Sequence, residues 1–262
     1  MKIQHLKLRT TLAGMVLGLM AAQAQASSYE EGLIAYTTGN FTEAGQHLIA
    51  AADQGEPGAE QLLMRMFTEG HLTARNQELE ILKWTRKAAD KGIKQAQYAL
   101  GDLYARKPET MTEAVKWYRH AADQGHPDAF YKLGDILKTG AQGVEANAEE
   151  SNRMYQIAAS EFTVFAQMGN PDYQYALGSM YHLAKGVEKN MAIALKWMNK
   201  SAMQGHALAQ LSLGRLFAKG IEVPHDARQA RYWLDMAAAQ GHEEAVTALE
   251  EIDTEATVAY AM

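Results

Sequence analysis

The chain has 262 residues, 47% of them apolar, a net charge of −6 and no cysteine. A folded core is therefore affordable in length, while disulfide frameworks, zinc–cysteine sites and thiol nucleophiles are excluded. The mild acidity, with no dense Lys/Arg cluster, argues against nucleic acid as a partner.

The first stretch, "MKIQHLKLRT", carries Lys2, Lys7 and Arg9 and no acid; the apolar run "TLAGMVLGLMAA" and then "QAQASS" follow. A basic start, a short apolar centre and small residues at Ala24 and Ala26 spell a secretory signal peptide over residues 1–26. The run is too short to cross a bilayer, which takes roughly 20 apolar residues. Cleavage after Ala26 would take the net charge to about −9. The expectation is a periplasmic or secreted bacterial protein with no membrane span after cleavage.

From residue 28 onward the sequence repeats itself. Gly55, Gly92, Gly125, Gly169, Gly205 and Gly241 each close a similar phrase, such as "AADQG", "AADKG" or "SAMQG". Four residues after each comes Ala59, Ala96, Ala129, Tyr173, Ala209 or Ala245, and four further on Leu63, Leu100, Leu133, Leu177, Leu213 or Leu249. Gly101, Gly134, Gly178 and Gly214 stand directly after four of these leucines. Trp84, Trp117, Trp197 and Trp233 each lie eight residues before a closing glycine. Periods near 36 residues mark stacked structural units.

Each unit reads as two helices. Ala96, Leu100 and Tyr104 share one face of a helix, and the glycine after the leucine lets a neighbouring helix approach closely at up to ~1 kcal/mol of helix propensity. The second helix carries the tryptophan and ends at the closing glycine, free to adopt the left-handed conformation that stops a helix. Neither pair buries its apolar face alone, so neighbours must stack. Trp117 and Trp197 are expected between layers. Ser28-x-x-Glu31 and Asn40-x-x-Glu43 offer capping boxes for the first two helices. The fourth unit keeps Met154 at the tryptophan position but adds seven residues, close to two turns; its second helix should therefore run on toward Gln167, with Ile157, Phe162, Phe165 and Met168 as its apolar stripe. "AVTALEEI" supplies a last, capping helix, and residues 254–262 read as a flexible tail.

The stretches "AQYALGDLYARKPETMTEAVKWYRHAADQGHPD" and "YQYALGSMYHLAKGVEKNMAIALKWMNKSAMQGHAL" resemble Sel1-like repeats, relatives of tetratricopeptide repeats. Leu-Gly-x-x-Tyr, the "KGVEKN" loop, Lys-Trp and Ala-x-Gln-Gly-His carry the resemblance. It implies an all-α, right-handed α-solenoid over residues 28–253, with six helix pairs and a C-terminal capping helix. It further implies a non-enzymatic scaffold or adaptor, here placed in the cell envelope, whose partner is another protein or peptide. Cysteine-rich members are linked to β-lactam binding or hydrolysis; without their paired cysteines, a cell-wall or β-lactam hydrolase is the disfavoured alternative.

No catalytic, cofactor or metal constellation emerges. His126, His206 and His242 recur at one repeat position, which argues for a structural role. For the binding face, take the recurring alanine of each first helix as zero and advance 100° per residue. Positions two, six and nine then fall opposite the core, on the side that lines the concave groove of such a stack. These positions hold Arg65, Tyr98, Asp102, Tyr131, Asp135, Lys138, Tyr175, Ser179, His182 and Arg215. Tyrosine adds contact area and a hydroxyl at low entropy cost. The alternative for the three tyrosines is packing against the next layer.

Overall fold

The computed structural model describes residues 26–74 and 77–261. The signal segment expected at residues 1–26 lies, but for Ala26, outside them. Among the described residues there are thirteen α-helices and no strand. They are α1 (Ser28–Thr37), α2 (Phe41–Asp53), α3 (Ala59–Thr68), α4 (Gln77–Asp90), α5 (Lys94–Ala105), α6 (Met111–Asp123), α7 (Pro127–Thr139), α8 (Ala148–Gln167), α9 (Pro171–Leu183), α10 (Met191–Met203), α11 (Ala207–Lys219), α12 (Ala227–Ala239) and α13 (Glu243–Ala261). Odd-numbered helices are the first of each unit and even-numbered ones the second. The chain divides into two compact bodies between Leu100 and Gly101. Consecutive helices pack as antiparallel neighbours within each body, α1 on α2 and α3 on α4 in the first, α7 on α8 through α11 on α12 in the second.

Sequence sets the ends of these helices. Asn147, Asn190 and Asp226 stand just before α8, α10 and α12, and their side chains accept from backbone N–H groups of the first turn, as N-caps do. Gly55, Gly92, Gly125, Gly169, Gly205 and Gly241 all have positive φ and close the second helices as read from the sequence. The first capping box is one residue earlier than expected. Ser27, not Ser28, accepts from Glu30 N–H, and the Glu30 carboxylate returns to Ser27 N–H. Asn40 precedes α2 without capping it; its amide bonds the Glu43 carboxylate instead.

The core follows the repeat. Ala59, Ala96, Ala129, Ala209 and Ala245 are buried, as are Leu63, Leu100, Leu133, Leu177 and Leu213. The tryptophans are corrected. Trp84 and Trp233 are buried, but Trp117 and Trp197 are only half-buried, and the next residue in each case, Tyr118 or Met198, takes the core position. The reason lies in the glycine after each leucine. A Cβ on Gly134 would sit 2.6 Å from the Tyr155 ring, and Gly101, Gly178 and Gly214 face Tyr118, Met198 and Leu234 in the same way. At Gly101 and Gly178 the notch receives the residue after the tryptophan, and the tryptophan turns about 100° away. At Gly214 Leu234 fills the notch in the same way, yet Trp233 stays buried.

Helix α8 is the extended second helix expected in the fourth unit, 20 residues long. Its buried face is Tyr155, Ala158, Ala159, Phe162 and Ala166. Of the expected stripe only Phe162 is fully inside; Ile157 and Phe165 are half-buried and Met168 is 77% exposed. At the other end, α13 runs from Glu243 to Ala261.

One polar pair joins the two helices of a unit, and its residues recur at fixed repeat positions. The residue after the recurring alanine, or after Tyr173, meets the residue before the next closing glycine. Gln204 donates to Gln174 at 2.7 Å and Gln240 to Gln210 at 2.7 Å. Gln174 and Gln210 are buried and also donate to the carbonyls of Ala166 and Ala202, eight residues upstream. In the first body the same two positions are Glu60, buried, and Lys91, 2.7 Å apart. Buried amides need such partners, because an unsatisfied one costs about 1–3 kcal/mol.

Candidate functional site

In the first body, Arg65 is exposed on α3, lies over the Tyr36 ring at 4.9 Å and pairs with Glu69. Tyr98 is half-buried on α5.

In the second body, the residues of α5 and α7 at positions two and six are drawn into internal bonds. Asp102 accepts from the Tyr118 hydroxyl at 2.6 Å, with Lys132 3.6 Å away. Asp135 accepts from the Tyr155 hydroxyl and from Lys185 Nζ at 2.6 Å. Lys185 also donates to the Tyr131 hydroxyl at 2.8 Å and lies over the Tyr131 and Tyr155 rings. Burial and the Asp135 carboxylate together push the Tyr155 hydroxyl far above its ordinary pKa. Burial works against the Lys185 charge, but the bonds to Asp135 and Tyr131 outweigh it and hold the ammonium above its usual value. Tyr131 packs edge-on to Tyr155 and stacks on Phe162 of α8. Lys138 is exposed at the end of α7.

On α9 and α11 the same positions line open space. Tyr175, Ser179 and His182 of α9 face Arg215 of α11 across a cavity of about 490 Å³, with Leu183, Leu216 and Ile221 as its apolar surface. Tyr175 shares a hydrogen bond of 3.1 Å with Ser212 and packs its ring on His206 at 4.9 Å. Beyond α11 lies a second cavity of about 880 Å³, between α11, the 220–226 loop and α13. Arg215 and Lys219 belong to both cavities. Counting on from Ala245 of α13, positions two, six and nine are Thr247, Glu251 and Thr254. Thr247 and Glu251 line the second cavity, and all three line a shallower depression beside it. The ruler that selected Tyr175 and Arg215 thus applies to a helix on which the sequence reading had not used it.

The loops were not foreseen as part of the site. Glu222, in the loop after α11, reaches back to His182 at the end of α9 and to Lys189 of the preceding loop. Hydrogen bonds from Lys189 and His182 hold its carboxyl below the usual range. Lys185, in the loop after α9, reaches back to α7 in the same manner. Each loop therefore ties its own unit to the first helix before it. Only the charged residues of "KGVEKN" and "KGIEVPHD" hinted at this, because the partners lie 33 to 54 residues away.

His206 is the N-cap of α11. Its Nδ1 accepts from Ala209 N–H at 3.1 Å, and its Nε2 faces Asp172 at 3.3 Å. That bond needs a neutral ring with the proton on Nε2. Burial, aided by His242, holds the imidazole below its ordinary pKa against the pull of Asp172. A lowered folded pKa stabilises the fold in full above the unfolded value near 6.5. That contribution is lost as pH falls from there through the folded pKa. Thermal melts between pH 7.5 and 5 should show a Tm drop that is smaller in His206→Asn, which keeps an N-cap without a titrating ring. An equal drop in both proteins would remove His206 from the account.

Among the described residues no three His, Asp or Glu side chains converge as metal ligands, and no helix is long and apolar enough to cross a membrane.

Fold and site together define a helical-repeat protein, with cavities along the first-helix side of its second body. The chain belongs to the Sel1 repeat family, whose pattern matches residues 21–56, 82–93, 94–126, 127–161, 171–206 and 207–242. A Sel1 repeat protein from Oxalobacter formigenes is 32% identical with a TM-score of 0.61, over 85% of this chain and 87% of that one. A protective antigen of uropathogenic Escherichia coli strains, displaying an SLR fold, is also 32% identical, with a TM-score of 0.57. The match takes in 88% of this chain but only 49% of the antigen, so the chain spans about half its length. No curated protein matches the chain.

Proposed function

We propose that the chain is an exported, non-enzymatic scaffold of the bacterial cell envelope. It would bind a partner protein along α9, α11 and α13, on the groove side to which Tyr98, Tyr131 and Tyr175 were assigned. The observation that carries this reading is the alignment of positions two and six of α9 and α13, and position six of α11, on two adjoining cavities. Sel1 repeats are generally interaction scaffolds, which fits a surface that offers shape and mixed polarity in place of converging catalytic groups.

The test is affinity capture from the organism's own envelope fraction with the chain beginning at Ser27, identified by mass spectrometry. Ser179→Arg with Leu183→Glu, both on the cavity wall and Leu183 53% exposed, should abolish capture of a stoichiometric partner while leaving the melt unchanged. Undiminished capture would move the binding surface off these helices. Turnover of cell-wall or β-lactam substrates without a partner would replace the scaffold by an enzyme.

A further inference from the structure

The smaller cavity carries information about what it takes. Its charged lining is His182, Arg215, Lys219 and Glu222. Glu222 is already bracketed by His182 and Lys189, and Arg215 pairs with Glu244 at 2.8 Å. Lys219 has no ion-pair or hydrogen-bond partner among the described residues and is exposed at the end of α11. The cavity therefore presents one uncompensated cation. Beside it are exposed apolar side chains that also line the cavity: Ile221 is 81% and Leu183 53% exposed. With Leu216 they form an apolar part of the cavity wall, where a partner's apolar side chain could be buried. In the 880 Å³ cavity Glu251 also lines the wall but forms no ion pair with Lys219, so the Lys219 charge is unpaired on that side too.

We propose that the cavity between α9 and α11 anchors one apolar side chain of a partner protein's segment, with an acidic residue next to it on Lys219. This rests on the scaffold reading above and adds the chemistry of the partner. An aliphatic side chain would cover Leu183, Leu216 and Ile221, and removing such surface from water drives association. The carboxylate supplies the missing charge and fixes the direction of the segment, because electrostatic complementarity contributes specificity more than raw affinity. A basic segment would place a second cation against Lys219 and be rejected.

Fluorescence polarisation with three labelled twelve-residue Gly/Ser peptides tests this on the full chain. One carries a central Leu flanked by two Asp, one has Ser for the Leu, and one has Lys for both Asp. The Leu/Asp peptide should bind. Either peptide change should weaken it by roughly tenfold, about 1.4 kcal/mol. Lys219→Gln should lose the Asp preference, and Lys219→Glu should turn it toward the Lys peptide; this exposed position leaves the fold intact, as a melt will verify. Equal binding of the Asp and Lys peptides, abolished by Tyr175→Glu, would overturn the charge assignment and leave the groove standing. Failure of all three peptides to bind would overturn the anchor outright, while the capture experiment still decides the scaffold.

Discussion

Tyr118→Ala should lower stability by about 3–5 kcal/mol, as expected for emptying a buried aromatic site. Trp117→Ala, one residue away, should cost clearly less. Tyr118 is 1% exposed, fills the notch at Gly101 and donates to Asp102. Trp117 is half-buried, and its indole nitrogen has no partner. Urea melts compare the two variants directly, since the midpoint shifts with stability at constant slope. A larger loss from Trp117→Ala than from Tyr118→Ala would return the core position to the tryptophan.

Asp135→Ala should be the costliest change among the residues assigned to the groove. It removes the carboxylate from the Tyr155 hydroxyl and leaves the Lys185 ammonium, whose side chain is 15% exposed, with the neutral Tyr131 hydroxyl in place of a counter-charge. Leaving buried donors without an acceptor costs about 1–3 kcal/mol; partial exposure of Asp135 itself puts the loss toward the lower half of that range. Adding Lys185→Met to Asp135→Ala should recover part of it, because the stranded charge is gone. The double-mutant cycle reads that coupling. Additive losses would show that Lys185 and Asp135 act independently, and the network would then be a set of separate contacts.

The core was legible because alanine, leucine and glycine recur at positions whose spacing fixes a helical face whatever surrounds it. The half-burial of Trp117 and Trp197 was not. One residue is about 100° on a helix, and composition favours the larger ring for the inside. Only the geometry of the notch at Gly101 or Gly178 reveals that the following side chain enters it. The site divides similarly. Tyr175, Ser179, His182 and Arg215 were found by counting along one helix. The roles of Lys185 and Glu222 were hidden, because a loop that reaches back a whole unit leaves no period in the sequence. Asp135 and Tyr131 satisfied the same count as Tyr175, yet the count says nothing of a lysine arriving from 50 or more residues downstream.

The buried pairs within units also bear on how the chain avoids folding wrongly. Near-identical units invite mispairing, with the first helix of one unit docking against the second helix of another, a characteristic failure of repeat proteins. Gln174–Gln204 and Gln210–Gln240 are interchangeable amide pairs, and among themselves they would tolerate such an exchange. Glu60–Lys91 would not. A slipped dock that set Glu60 against a glutamine would bury a carboxylate with no cation, a penalty of several kcal/mol. The one ionic joint therefore works as an address label. It distinguishes the amino-terminal layers from all later ones, so the array has a defined beginning from which correct stacking can be counted.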